Sequence, residues 1–104
     1  MTEEVSQFEI KIISLAKRTL VRAEQSLQEA SLSPQIDEPK RENIGKQDYY
    51  SEIAIYFYDG NSFVDVIEFF IYRNGKPVAS LSEFEEWLQK TLDDVISRRR
   101  RGTV

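Results

Sequence analysis

Residues 63–73 are apolar on both parities of an extended backbone, with Ile67, Phe69 and Ile71 on one side and Val64, Val66, Phe70 and Tyr72 on the other. Such a strand exposes apolar surface unless both of its faces are covered, so it belongs in the middle of a sheet. Asn74-Gly75 follows directly, and this pair is the strongest short-range signal for a two-residue hairpin because both residues accept positive φ. A sheet built around this strand is the constraint that the rest of the chain has to meet.

The strand expected before it, residues 49–59, alternates more cleanly. Ile53, Ile55 and Phe57 share one side, and Glu52, Ala54, Tyr56 and Tyr58 share the other. Asp59-Gly60-Asn61-Ser62 supplies turn chemistry between the two strands. After Asn74-Gly75, residues 76–79 read as a short third strand, and Pro77 suits an edge because it has no amide to donate.

Helical patterns flank the strands. Residues 4–30 contain no Pro or Gly, and Ile13, Ala16, Leu20, Ala23, Leu27 and Ala30 recur at steps of three and four, with Val5, Phe8, Ile12 and Leu15 as a neighbouring stripe. The combined face is wider than a coiled-coil seam and points to packing on a sheet. Residues 31–48 then change character, with two prolines, one glycine and seven charges, and read as a long loop. The last helix starts at Ser80 or Ser82, where Glu83 and Glu85 complete capping-box spacings. It continues through the stripe Phe84, Trp87, Leu88, Leu92, Val95 and Ile96 to about Ser97. The expectation is a single α+β domain over residues 1–97, in the order α-β-β-β-α. A three-stranded antiparallel meander forms one layer packed by the helices, and residues 98–104 form a flexible basic tail.

The chain has 104 residues and neither histidine nor cysteine. That removes the usual zinc ligands, thiolate nucleophiles, disulfides and histidine-based triads. There is also no P-loop, no G-x-G-x-x-G and no G-x-S-x-G. Asp59, Asn61, Asp65 and Glu68 alternate like calcium ligands, but Phe63 and Val64 stand where an EF-hand needs a ligand and a glycine. No cofactor or metal is expected. Asp65 and Glu68 interrupt the apolar strand and could divide acid and base roles if a bulge brought them to one face, with Glu52 joining from the neighbouring strand. Strand-rim or anti-aggregation roles explain them with fewer assumptions.

The formal charge of −4 hides a division. Arg98, Arg99, Arg100 and Arg101 stand together, so the other ten cations face all 18 acids and residues 1–97 carry −8. The arginine run could contact phosphates, yet residues 48–97 carry −7 and would repel nucleic acid. Tyr50, Tyr56 and Tyr58 share a parity, and together with Glu52 and Tyr72 they form a candidate interaction surface of the kind aromatic side chains anchor. The leading expectation is therefore a small acidic, non-enzymatic interaction protein of a bacterium, archaeon or virus. It would act as an adaptor, chaperone-like factor or toxin-neutralising partner, engage another protein through that protein's basic surface, and form a homodimer. A module with a ligand pocket lined by Tyr56, Tyr58, Phe70 and Trp87 is the alternative. A nucleic-acid accessory role through the arginine tail comes third. No run approaches the roughly 20 apolar residues of a membrane span. Met-Thr-Glu-Glu is acidic where a signal peptide is basic, so the expected location is cytoplasmic.

Overall fold

The computed structural model describes residues 3–42 and 50–102, with side chains from 7–37 and 51–102. In chain order the elements are α1 (Glu3–Arg22), α2 (Glu24–Glu29), β1 (Ser33–Glu42), β2 (Tyr50–Asp59), β3 (Ser62–Arg73), β4 (Lys76–Pro77) and α3 (Leu81–Arg100). The strands form one antiparallel sheet in the order β1-β2-β3-β4. The fold is α+β, with N- and C-terminal helices flanking a curled four-stranded sheet, a half-barrel. This corrects the expected flat three-stranded meander.

The extra strand comes from the segment expected to be a loop. Residues 33–42 pair with β2 despite Pro34 and Pro39. Proline is tolerated there because β1 is an edge, bonded on one side only, and because the ladder slips between Asp37 and Lys40, around Pro39. A weak two-residue period lies beneath the charges: Leu32 is buried and Ile36 half-buried, while Ser33 and Gln35 are exposed. The rest of that expected loop, residues 43–48 with Ile44, lies outside the described residues, as does Tyr49. Two further slips between β2 and β3, one at Val64 and one at Ile71, add to the curl, since a bulged strand bends and twists more strongly.

Both long helices pack on the same face of the sheet. The inner parity of β2, Ser51, Ile53, Ile55 and Phe57, is fully buried. The two apolar stripes of the first helical segment separate into two clusters. Ala16, Leu20, Leu27 and Ala30 join Ile55, Phe57, Ile67, Leu88, Leu92, Val95 and Ile96. Ile12 and Leu15 join Ile53, Ile71, Tyr72 and Phe84, with Phe8 packed against them. The single helix expected over residues 4–30 is interrupted at Ala23, one turn after Thr19. The Thr19 hydroxyl donates to the Leu15 carbonyl at 2.8 Å, a back-bond that bends helices.

Local chemistry stops and starts these elements. The Ser31 amide donates to the Gln28 carbonyl at 3.0 Å and the Leu32 amide to the Leu27 carbonyl at 2.9 Å, with Ser31 at φ 57°. This is a Schellman ending, and its apolar contact is the buried Leu27 and Leu32. Asn74 and Gly75 take φ values of 53° and 74°, as a tight hairpin turn needs. Ser80 caps α3: the Glu83 amide donates to its hydroxyl at 3.2 Å while the Glu83 carboxylate accepts from the Ser80 amide at 3.4 Å. The helix runs past Ser97 to Arg100, so the arginines expected in a flexible tail from residue 98 instead begin inside a helix.

Phe57→Ala should lower the unfolding free energy by about 3–5 kcal/mol, as wholly buried aromatics do when truncated. Ser31→Gly should raise it by about 0.5–1 kcal/mol, because glycine removes the left-handed penalty at a small entropic cost. Urea titrations followed by circular dichroism measure both.

Candidate functional site

With both helices on one face, the opposite parity of the strands is left open among the described residues. Ladder register places Tyr58 beside Ser33 and Phe63, Tyr56 beside Gln35 and Val66, Ala54 beside Asp37 and Glu68, and Glu52 beside Lys40 and Phe70. Directly opposite residues in a sheet point the same way, so these side chains share one surface. The rings of Tyr56 and Tyr58 each meet Phe63 edge-on, with centroids 6.4 and 6.3 Å apart. Tyr56 and Tyr58 are half-buried and Phe63 is 58% exposed. Further along, the Arg73 guanidinium lies 4.8 Å from the centre of the Phe70 ring, a cation–π contact. The result is an aromatic cluster at one end of the open face, with the carboxylates Glu52 and Glu68 towards the other.

Tyr56, Tyr58 and Glu52 thus share the open face of the sheet. Tyr72 does not. The slip at Ile71 turns two successive residues inward, so Tyr72 is 5% exposed and packs edge-on against Phe8 at 5.6 Å. It is a core residue. Tyr50 begins β2 opposite Glu42, and its side chain lies outside the described residues. Phe63, the most exposed ring of the cluster, follows a turn and was not singled out from sequence. Its direct pairing with Tyr58 across the hairpin is the signal that locates it.

Asp65 and Glu68 fall on opposite faces of the sheet. Asp65 is paired with Phe57 on the helix side and Glu68 with Ala54 on the open side. No carboxylate dyad forms between them, and Glu52 shares a face with Glu68 alone. Asp65 instead accepts from the Val66 amide at 2.8 Å and from Arg98 at 3.1 Å. Among the described residues, no group of three or more acidic side chains converges as a metal site would require.

The arginine run is tied to acids at the C-terminal end of α3. Arg98 also meets Asp94 at 3.0 Å, Arg99 pairs with Asp59, and Arg100 meets Glu29 at 2.6 Å. Arg101 caps the helix and is exposed. These contacts link α3 to α2, β3 and the β2–β3 turn, and the cations complement the helix dipole. A phosphate backbone would have to displace these carboxylates before it could use Arg98, Arg99 or Arg100.

The four residues expected to line one pocket are divided. Phe70 and Trp87 line an open groove of about 320 Å³ between β3 and α3, together with Phe69, Val78 and Arg73, whereas Tyr56 and Tyr58 do not line it. Another residue that sequence did not single out is Glu9, wholly buried on α1. Its signal was present, since it stands four residues before Ile13 at the head of the apolar stripe.

No protein-family model, curated protein or solved structure matches the chain. No helix among the described residues is long and apolar enough to cross a membrane.

The Asp65–Arg98 pair, with side chains 22% and 39% exposed, should show a coupling of about 0.5–1 kcal/mol in a double-mutant cycle with Asp65→Asn and Arg98→Gln. Raising the salt to about 0.5 M should reduce it, because partly exposed pairs are screened.

Proposed function

We propose that this protein is a non-enzymatic interaction protein that offers the open face of its sheet to a protein partner with a basic surface. One observation carries the reading: both helices take the same side of the sheet, which leaves Tyr56, Tyr58 and Phe63 as a half-exposed aromatic cluster on the other. Rings of this kind provide large contact area at a small cost in rotamer entropy and act as anchors of binding surfaces. Glu52 and Glu68 on the same face, within a chain whose residues 1–97 carry −8, supply long-range attraction for a cationic partner and penalise acidic ones. An adaptor, a chaperone-like factor or a toxin-neutralising partner would use such a surface, as a homodimer and in the cytoplasm.

The groove beside Trp87 supports a small-ligand reading less well, because the tyrosines stand apart from it and it is open along one side. A nucleic-acid role is weakened by the carboxylates that hold Arg98, Arg99 and Arg100.

Affinity capture from the native host, followed by cross-linking and mass spectrometry, tests the proposal. A partner with a basic surface should cross-link to the open face. Its Kd should rise by at least about tenfold, or 1.4 kcal/mol, for Tyr56→Ala/Tyr58→Ala and for Glu52→Lys/Glu68→Lys, with the circular dichroism spectrum unchanged. Equal retention by wild type and both variants would remove the open face from the function.

A further inference from the structure

The sheet and α3 part company where β4 stops. Pairing between β3 and β4 ends at Tyr72 and Pro77, and the Val78 amide then donates to the Ile71 carbonyl at 3.0 Å before the chain enters α3. The space between this crossing and α3 is the open groove of about 320 Å³. That volume is at the small end of ligand pockets, which begin at about 300 Å³.

The alternation of β3 divides the groove chemically. Phe69 is opposite the buried Ile53, so it lies on the helix side, where its ring meets Trp87 edge-on at 5.1 Å and Phe84 at 5.5 Å. These three rings hold one another in place as an apolar floor, which the exposed Val78 extends. Trp87 remains 41% exposed, a large apolar area already fixed in its bound geometry. Phe70 is opposite Glu52 and faces the other way. Its ring carries the Arg73 guanidinium, which puts a positive charge at that end of the groove.

Arg98, Arg99 and Arg100 each hold a carboxylate, whereas among the described residues none pairs with Arg73. Glu52 is the ladder neighbour of Phe70, yet it forms no ion pair with Arg73. Lys76 stands directly opposite Arg73, so the two cations share a side. The acid that lines the groove, Glu83, belongs to the α3 end, where its carboxylate accepts from the Ser80 hydroxyl at 2.9 Å within the helix cap. A guanidinium stacked on a ring keeps the N–H groups at the rim of its plane available, and these match a carboxylate.

We propose that this groove binds a small amphipathic carboxylate, a medium-chain fatty acid, with its acyl chain on Trp87, Phe69 and Val78 and its carboxylate on Arg73. The open side suits such a ligand because the charged end stays in water and its desolvation cost is avoided. Glu83 sets the direction, since a carboxylate placed at the α3 end would meet a like charge. The site is separate from the cluster of Tyr56, Tyr58 and Phe63, and it stands whether or not that cluster binds a protein.

Trp87 is the single tryptophan of the chain, so intrinsic fluorescence reads the groove directly. Decanoate, titrated below its micelle concentration, should move the emission to shorter wavelength and saturate with a Kd of about 1 mM or less. Decyltrimethylammonium, with the same chain length and the opposite charge, should bind at least about tenfold more weakly, and acetate should leave the emission unchanged. Arg73→Gln should weaken decanoate binding by at least about tenfold, with the circular dichroism spectrum intact. Absence of a saturable shift with decanoate, equal affinity for the cationic probe, or unchanged affinity in Arg73→Gln would each overturn the proposal; the first two need only the wild type. A shift that appears when the protein alone is concentrated would give the groove to a second copy of the chain and overturn it as well.

Discussion

Burial of one parity of β2 against both helices is the interaction on which the other features depend. Ser51, Ile53, Ile55 and Phe57 alternate strictly inward, and a strand's two-residue period then forces Glu52, Tyr56 and Tyr58 outward. Because α1 and α3 contact one another over the same face, no helix among the described residues is left to cover the other. The open aromatic face and the inner core are two consequences of one register. A slip of one residue along β2 would exchange them.

The charged residues are arranged around the same scaffold. The C-terminal arginines bind back onto Asp59, Asp65, Asp94 and Glu29 and hold the end of α3 against the sheet and α2. Each such pair contributes little alone in water, but several at one helix end also offset the helix dipole. Three of these arginines are thereby gathered at one end of α3. On the open face the ladder sets Glu52 opposite Lys40.

Elements with strong local signals were legible in the sequence. The capping box at Ser80, the Asn74-Gly75 turn, the alternation of β2 and the two stripes of α1 all depend on spacings of four residues or fewer, which tertiary context did not override. β1 was hidden because prolines and charges disguise a weak alternation, and an edge strand tolerates both where a central strand would not. Tyr72 was misplaced because a bulge at Ile71 changes the parity of everything after it, and an irregularity of one residue leaves no mark in composition. Glu9 was legible as a charge in an apolar stripe, whereas the meeting of Phe63 with Tyr56 and Tyr58 required the hairpin register.

By itself, the sequence determined the two helical regions and the strands on either side of Asp59-Gly60-Asn61-Ser62, the absence of histidine and cysteine, and the division between an acidic body and an arginine-rich end. These follow from residue identity and from contacts within a turn or two. Only the tertiary structure decided that the sheet has four strands, that both helices share one side, that Asp65 and Glu68 are separated by the sheet, and that the arginines are engaged by acids distant in the chain. The reason is physical: each depends on register or pairing between segments tens of residues apart, where a shift of one position reverses which side chains meet.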